Sequence, residues 1–294
     1  VLAELQPHSN RLGTLARKNN RNTHNIITFS LFLLFHGVLK HFQKPTFRLN
    51  LSILFISLPN RVMTLKTFTG ICKIYDMVAG STGLNEKDAR SYGMNIETFI
   101  HVAPDKPTFM DAAPVIIKLV ADKESGRLLG VQSVGTGDVA KRLATAAMAI
   151  HAKMSVSDML NLDLPYAPPF SPAIDNFITA IHCLENKLRG EVRGISPAIL
   201  KQRLDDGEKP FLLDVRGPDE YEQMRIGFGE TLVPLGALRA NLDKLPEDKA
   251  ASIIIYCKIS LRGYEAALFL QSKGYSNVEV LEGGVIGWPY GREK

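Results

Sequence analysis

The stretch "IIIYCKISLRGYEAA", Ile253–Ala267, decides the fold of the C-terminal third of this chain. Four apolar or aromatic residues lead directly into Cys257, and a segment typical of a helix follows from Gly263. A continuous apolar run between helical segments is typical of a strand that is buried on both faces of a parallel sheet. The stretch therefore predicts a strand, a short loop that begins with a thiol, and a helix.

Apolar runs alternate with helical segments on both sides of this stretch. The runs "FLL", "IIIY" and "VEVL" predict strands, and helices are predicted for "SPAILKQRLDDG", "PDEYEQM" and "LRANLDKL". This order is typical of an α/β domain with a parallel sheet and helices on both faces. In such a sheet, ligands bind beyond the carboxyl ends of the strands, and Cys257 is predicted to lie at that edge.

The residues Lys258–Arg262 are predicted to join the strand end to the helix N-terminus. Such a loop can turn backbone N–H groups inward, and the helix dipole and the cations Lys258 and Arg262 add positive potential. Together these groups favour the thiolate, which is the nucleophilic form of cysteine. The same cradle could hold the anionic outer sulfur of a persulfide. We therefore predict a reactive thiol at Cys257; the alternative is a buried, inert cysteine.

This loop also carries a resemblance to a known family. "YCKISLRGYEAA", with "LLDVR" upstream and "LEGGVIGW" downstream, resembles the rhodanese domain of sulfurtransferases over roughly Ile195–Tyr290. The resemblance implies that Cys257 accepts sulfur to form a persulfide and that Arg262 contacts the anion, with Gly263 opening the helix. It also implies a sulfane-sulfur donor, such as thiosulfate, a persulfide or a polysulfide, and a thiol acceptor.

The same resemblance assigns supporting residues. Asp214 and Arg216 match a strand-end pair that braces the active-site loop in the family; the alternative is a purely structural salt bridge. Lys258 either steers anionic donors or is a solvated side chain. The family often has Gly where this chain has Ser260, so the loop backbone could differ in shape. The segment "RIGFGETLVP" lacks the His that family members often carry there, which leaves donor specificity open.

The middle of the chain has a different pattern. Strands are predicted for "GICKIYDMVAG", "NIETFIHVA", "PVIIKLVAD" and "RLLGVQSVG", the last two joined in a hairpin by the turn Glu124–Gly126. Helices are predicted for "NEKDARSYG", capped by Asn85 and ended by Gly93, for "DVAKRLATAAMAIHAKM", and from about Asp175 to Lys187. This order predicts an α+β domain, in which an antiparallel sheet carries helices on one face.

This block resembles a second family. "TGICKIYDMVAGSTGLNEKDAR", "GRLLGVQSVG" and "DLPYAPPFSPAIDNFITAI" resemble the dimerisation domain of FAD-dependent pyridine nucleotide–disulfide oxidoreductases over about Leu65–Leu188. The resemblance is to the coenzyme A-disulfide reductase and NADH oxidase subgroup, some of whose members carry a C-terminal rhodanese domain. It implies a homodimer or a flavoprotein partner, and a coenzyme A persulfide among the candidate sulfur species. It also implies that Tyr166 lies beside a coenzyme A-disulfide pocket, or else stacks in an interface loop.

The cofactor expectation follows from what the sequence contains. FAD and NAD(P)H are implied for the full-length family, but the flavin-binding glycine fingerprint that should precede Leu65 is absent. We therefore expect this chain alone to bind neither tightly. "GTGDVA", Gly135–Ala140, passes a loose G-x-G-x-x-A test, but it follows the return arm of a hairpin rather than the first strand of a βαβ unit. We predict a simple turn there, and Asp158 at a helix start.

Composition bounds the remaining possibilities. The formal net charge is +5, yet the first 70 residues hold nine Lys and Arg against one acid, so the rest of the chain is slightly acidic. This argues against a nucleic-acid partner. The apolar runs Asn25–Leu39 and Leu49–Leu58 are shorter than the roughly 18–20 residues that span a bilayer, and we expect no membrane partner. Three segments are predicted: an atypical basic and apolar extension (1–63), the dimerisation domain (64–188) and the rhodanese domain (189–294).

The extension has three interpretations, namely an interfacial or signal-like segment, a poorly structured extension, or sequence outside the functional gene product. The cysteines Cys72, Cys183 and Cys257 form no C-x-x-C pair, which fits a reducing compartment and predicts a cytoplasmic location. Cys72 and Cys183 are predicted to be packing residues. No zinc-ligand spacing is present, and no metal site is predicted.

Three functions follow from these observations. The first is a rhodanese-type sulfurtransferase within a C-terminal portion of a coenzyme A-disulfide or persulfide reductase-like flavoprotein. The second is a dimerisation and sulfur-relay subunit that works with a separate FAD- and NADH-dependent chain. The third is a non-catalytic remnant.

Overall fold

The computed structural model describes residues 68–294, and the three interpretations of residues 1–63 therefore lie outside the described residues. The described chain forms two sheets of five strands each, one antiparallel and one parallel. Both predicted fold classes are confirmed. None of the helices within 68–294 is long and apolar enough to cross a bilayer.

The N-terminal domain is built on the antiparallel sheet, whose strand order is β1-β2-β5-β4-β3. Its strands are β1 (Thr69–Ile74), β2 (Met77–Gly83), β3 (Ile96–Pro104), β4 (Pro114–Asp122) and β5 (Leu128–Gly135). The predicted β4–β5 hairpin is confirmed. The prediction of one strand over "GICKIYDMVAG" is wrong, because Tyr75 adopts a positive φ of 53° and reverses the chain so that β1 pairs with β2.

Four helices accompany this sheet: α1 (Glu86–Ser91), α2 (Val139–His151), α3 (Val156–Met159) and α4 (Asn176–Leu188). Asn85 caps α1 as predicted, since its side chain accepts a hydrogen bond from the Asp88 amide. Helices α2 and α4 bury the main core of the domain against one face of the sheet. Ala89 of α1 instead packs with Val120, whose side chain points to the opposite face, so the helices are not confined to one face as predicted.

The C-terminal domain is built on the parallel sheet, whose strand order is β6-β10-β9-β7-β8. Its strands are β6 (Gly194–Ile195), β7 (Phe211–Asp214), β8 (Thr231–Leu232), β9 (Ile253–Tyr256) and β10 (Val278–Leu281). Its α-helices are α5 (Pro197–Asp205), α6 (Pro218–Gln223), α7 (Leu261–Ser272) and α8 (Gly284–Gly287). Along β9, alternate side chains enter two separate cores, which explains why its apolar run is uninterrupted.

Two predicted elements differ in the C-terminal domain. The segment predicted as the helix "LRANLDKL" forms two 3₁₀ turns, Leu235–Ala240 and Leu242–Lys244, because Asn241 leaves helical geometry with a φ of −129°. Helix α7 begins at Leu261 rather than near Gly263. Arg262 therefore lies in the first turn of the helix, and the loop after β9 is shorter than predicted.

Candidate active site

Cys257 lies immediately after β9, at the carboxyl edge of the parallel sheet, and is 1% exposed. The backbone N–H of Ser260 donates a hydrogen bond to its Sγ over 3.2 Å. A backbone donor aimed at sulfur stabilises a thiolate more than a thiol, because the thiolate is the stronger acceptor. The strand–loop–helix arrangement inferred from the sequence thus brings an N–H group to the sulfur.

Ser260 has a backbone conformation that favours glycine. Its φ is 98°, in the region that L-residues rarely adopt. The side chain is buried, and its Oγ donates a hydrogen bond to the carbonyl of Leu281 over 3.1 Å. This hydrogen bond offsets part of the backbone strain, which is on the order of 1–3 kcal/mol. Serine is accommodated here without giving up the turn that points its N–H at Cys257.

Two substitutions separate strain from hydrogen bonding at this position. Ser260→Ala keeps the strained φ and loses the Oγ hydrogen bond, whereas Ser260→Gly loses the same hydrogen bond but relieves the strain. We expect the alanine variant to be less stable than the glycine variant by about 1 kcal/mol in urea unfolding. Equal stability of the two variants would show that φ at this position costs nothing.

Arg262 forms a bidentate ion pair with Glu220 of α6. Its Nη1 and Nη2 donate to Oε2 and Oε1 of Glu220 over 2.6 and 2.8 Å. The hydrogen bond to Glu220 is the main cause that raises the pKa of Arg262, and the nearby Cys257 sulfur raises it further. The guanidinium therefore lies within electrostatic reach of the thiol while Glu220 fixes its orientation.

The same pair sets a pH dependence. The hydrogen bond from Arg262 lowers the pKa of Glu220 from 4.5 to about 2. A carboxyl group whose pKa is lower in the folded state stabilises the fold above its unfolded pKa and loses that contribution as pH falls. We expect the stability difference between wild type and Glu220→Gln to be constant above pH ~5 and to vanish towards pH ~2. Urea unfolding across this range measures it, and a pH-independent difference would exclude a charge effect.

Sequence reasoning missed Glu220. An acidic residue early in "PDEYEQM" carries no local signal for an arginine 42 positions away. Only the parallel sheet brings α6 and α7 to the same edge, because both helices follow strands that end there.

Asp214 and Arg216 form a buried pair at the end of β7. Arg216 Nη2 donates to Asp214 Oδ2 over 2.6 Å, and both side chains are at most 2% exposed. Arg216 also donates to the carbonyls of Glu220 and Met224 over 3.0 and 2.6 Å, which fixes both ends of α6. Within the described residues, neither side chain of this pair forms a hydrogen bond with residues 257–260. The pair instead positions the helix that carries Glu220.

A second segment holds the cysteine loop from the other side. The N–H groups of Val285 and Ile286 donate to the carbonyls of Cys257 and Lys258 over 2.9 and 3.1 Å. Gly284 has a φ of +56°, and a Cβ there would lie 2.5 Å from the Cys257 carbonyl oxygen. Only glycine permits this approach. The Lys258 side chain itself is exposed and is free of ion pairs within 68–294.

Gly263 is buried in the first turn of α7. A Cβ at this position would lie 3.3 Å from Cγ1 of Val280, so glycine allows the helix to pack closely against β10. The same Cβ would lie 3.7 Å from the Ile255 carbonyl oxygen and from the Tyr256 Cα, so the first turn of α7 also lies close to the end of β9. Gly263 thus supports the loop through packing rather than through chemistry.

Tyr166 lies apart from the cysteine site. Its side chain is 54% exposed and lines a groove of about 470 Å³ formed entirely by the N-terminal domain, with Asp163 and His182 among its neighbours.

Cys183, predicted to be a packing residue, is partly buried against the core of that domain, and burial raises its pKa to about 11. The three cysteines are free, and Cys72 is half-buried on β1.

Residues 68–294 hold no group of three or more His, Cys, Asp or Glu side chains placed to bind a metal ion. The loop Gly135–Ala140 does not have the setting of a dinucleotide site, as predicted from the sequence. It follows β5, which pairs antiparallel with both of its neighbours, and its Asp138 caps α2 through the Lys141 amide. Asp158 forms a capping box with Ser155 at the start of α3. These residues do not fit a flavin or nicotinamide dinucleotide.

Comparisons with known families match both domains. Residues 70–177 match the family described as "Pyridine nucleotide-disulphide oxidoreductase, dimerisation domain". Residues 196–289 match the "Rhodanese-like domain". A sulfurtransferase from Allochromatium vinosum is 35% identical over 97 residues, which span 33% of this chain and 88% of that protein.

The C-terminal domain belongs to the rhodanese-like family. The domain that precedes it is a pyridine nucleotide-disulphide oxidoreductase dimerisation domain, and the predicted combination of the two is confirmed. A further relative matches less than half of this chain. The NAD(P)H sulfur oxidoreductase (CoA-dependent) of Pyrococcus furiosus is 38% identical over 118 residues, 40% of this chain.

A solved structure resembles both domains together. The NAD-dependent persulfide reductase from A. fulgidus matches with a TM-score of 0.67 and 36% identity, covering 76% of this chain and 39% of that one. The chain spans 26% of the length of the Pyrococcus furiosus relative. These comparisons therefore identify the families of the two domains, and they do not establish the activity of this chain.

Proposed function

We propose that this chain is a rhodanese-type sulfurtransferase in which Cys257 carries sulfur as a persulfide. The observation that carries the proposal is the Ser260 N–H directed at Cys257 Sγ over 3.2 Å, at the carboxyl edge of a rhodanese-like sheet. A related sulfurtransferase that this chain covers almost completely supports the same chemistry. We also propose that the sulfur donor is thiosulfate, a persulfide or a polysulfide, and that the acceptor is a thiol.

The proposed reaction has two displacement steps and no net redox change. With thiosulfate, the Cys257 thiolate attacks the sulfane sulfur, the S–S bond of thiosulfate breaks, and sulfite leaves with the electron pair. Cys257 then bears a persulfide, whose outer sulfur is anionic. An acceptor thiolate attacks that outer sulfur, takes it as its own persulfide, and releases Cys257 as a thiolate. A persulfide or polysulfide donor reacts in the same way, with a shorter sulfur anion or a thiolate as leaving group.

The surrounding groups have separate roles in this scheme. The Ser260 N–H stabilises negative charge on sulfur in the resting and persulfide states. Arg262 binds the anionic donor at the rim of the loop. Glu220 orients the Arg262 side chain, and Asp214 and Arg216 position the helix that carries Glu220. Lys258 is exposed and adds positive potential that attracts anionic donors.

Mass spectrometry tests the proposal. The full chain is incubated with thiosulfate, and the peptide that contains Cys257 is expected to gain the mass of one sulfur atom, with one sulfite released per persulfide formed. The peptide that contains Cys183 serves as an internal control and should stay unmodified. Absence of the adduct with thiosulfate, a low-molecular-weight persulfide and polysulfide alike would overturn the proposal.

A matched pair of variants tests the role of Arg262. Arg262→Ala removes the charge next to the donor and is expected to lower kcat/KM for thiosulfate about 10- to 100-fold, the worth of a charged hydrogen bond. Glu220→Gln keeps the cation and removes only the negative charge of its partner, so its loss should be smaller. Equal losses in both variants would mean that Arg262 serves only to pair with Glu220.

A second candidate function is supported by the N-terminal domain. We propose that the chain acts as the dimerisation and sulfur-relay portion of a flavoprotein that reduces persulfides or coenzyme A disulfides. The dimerisation-domain match and the similarity to an NAD-dependent persulfide reductase favour it. In this scheme a separate flavoprotein chain, bound to this one, would supply FAD and NAD(P)H to reduce the sulfur carried by Cys257. Flavin absorbance in the purified protein or its complex, together with NADH-dependent release of sulfide, would support it; colourless protein that still transfers sulfur would favour the first candidate alone.

A further inference from the structure

Glu282 is a buried carboxylate that the proposed chemistry does not use. It directly follows β10 and is 1% exposed. Its two oxygens bind groups of the other domain: Lys187 Nζ of α4 donates to Oε1 over 2.7 Å, and the Ile100 N–H of β3 donates to Oε2 over 3.0 Å. A side chain of the C-terminal domain is therefore anchored entirely by the N-terminal domain.

The cation in this contact is itself well held. Lys187 also donates to the Thr98 carbonyl over 2.9 Å and lies 3.0 Å from Oε1 of Glu97. Burial lowers the pKa of Lys187, but the carboxylates of Glu282 and Glu97 outweigh burial and raise it. Burial raises the pKa of Glu282, and Lys187 acts against that increase. A buried pair of this kind is costly to break from one side, because one charge is then left without a partner.

The backbone on both sides of Glu282 holds the cysteine loop. Before it, the Leu281 carbonyl accepts the hydrogen bond from Ser260 Oγ. After it, Val285 and Ile286 donate to the carbonyls of the residues that begin the loop. Glu282 therefore sits in the middle of the segment 281–286, which binds residues 257–260 at three points.

The residues around Glu282 are closely packed against β3 and β6. Gly283 has a φ of +73°, and a Cβ there would lie 3.1 Å from Cγ2 of Val102 on β3. A Cβ on Gly194 would lie 2.6 Å from Oε1 of Glu282. β3 is an edge strand of its sheet, and Glu282 satisfies one of its outward N–H groups. The segment is thus seated directly on the edge of the N-terminal domain.

We infer that Glu282 is a positioning residue for the Cys257 loop, and that docking of the N-terminal domain through Lys187 and the edge of β3 sets the geometry of the sulfur site. This inference rests on the proposed function for its catalytic meaning. Its structural content, the coupling between the two domains, does not depend on sulfur chemistry. The dimerisation domain would then act on the sulfur site through this contact in addition to any role in assembly.

Hydrogen exchange on the full chain tests the coupling. Lys187→Met removes the cation and leaves Glu282 without it, and the amides of residues 257–263 are expected to exchange about ten-fold faster than in wild type. The amides of α5, which lies in the same domain but outside residues 257–263 and 281–286, should exchange at the wild-type rate. Glu97→Gln is the matched control, because it removes a contact of Lys187 but none of Glu282, and its loop should exchange as in wild type.

Kinetics and rescue distinguish positioning from simple loss of stability. In Lys187→Met, kcat for sulfur transfer should fall several-fold with little change in KM, and Lys187→Arg should restore most of it. Should Lys187→Met unfold, Glu282→Gln replaces it, since it keeps the shape and removes only the charge. Loop exchange that stays at the wild-type rate in a folded variant, or that rises equally across the whole C-terminal domain, would overturn the inference. A wild-type chain that forms no persulfide would refute the proposed function and leave the exchange result standing.

Discussion

Replacing Cys257 with serine is expected to abolish sulfur uptake by this chain. A serine hydroxyl is almost fully protonated at neutral pH, and within residues 68–294 the hydrogen bond to the sulfur position comes from a backbone N–H rather than from a general base. Oxygen is also a poor nucleophile towards sulfane sulfur. We expect a loss on the order of 10³-fold or more in the rate of persulfide formation, as for other nucleophile replacements.

The fold should survive this change. The serine Oγ can accept the same Ser260 N–H that Sγ accepts now, so the buried site keeps its hydrogen bond. Urea unfolding is expected to show a loss of about 1–2 kcal/mol at most. Cys183→Ser is the matched control: burial raises the pKa of Cys183 to about 11, so this thiol stays protonated and its removal should leave the rate unchanged. If the Cys257→Ser chain still gained sulfur, a residue other than Cys257 would have to be the nucleophile.

The position of the thiol could be predicted because it depends on local pattern. A continuous apolar run, a cysteine and a helical segment fix a strand end, a loop and a helix start, and Cys257 follows β9 as expected. The Asn85 cap was predictable for the same reason, since a capping side chain and the backbone N–H that donates to it lie within one turn.

The groups that hold the thiol in place could not be predicted in this way. The Glu220–Arg262 pair and the contact of Glu282 with Ile100 join residues 42 and 182 positions apart. Neither contact can be read from hydrophobic periodicity, because the packing of whole helices and strands determines which polar groups meet. The reversal at Tyr75 was missed for a local reason: a left-handed turn normally shows glycine or asparagine, and here the position is aromatic and 89% exposed.

Gly284→Ala is expected to damage both the stability and the sulfur chemistry of the C-terminal domain. The new Cβ would lie 2.5 Å from the Cys257 carbonyl oxygen and 2.7 Å from the backbone of Lys258, contacts that real Cβ atoms essentially never show. Its φ of +56° adds strain for alanine. Since the neighbours are backbone atoms, the cysteine loop itself must move, and we expect a loss of about 2–4 kcal/mol in urea unfolding.

Two other glycines of the same domain separate the causes. Gly274 has a φ of +88° and open space around its Cβ position, so Gly274→Ala measures the cost of the backbone conformation alone, about 1 kcal/mol. Gly236 has open space and no positive φ, so its replacement by alanine should be neutral within about 0.5 kcal/mol. The excess loss in Gly284→Ala is then due to the collision with the cysteine loop. That collision should also break the hydrogen bond from Val285 to Cys257 and lower the rate of persulfide formation, whereas the two control variants should form the persulfide as fast as wild type. If Gly284→Ala lost stability but kept the wild-type rate, the loop geometry would matter for folding and not for the chemistry at Cys257.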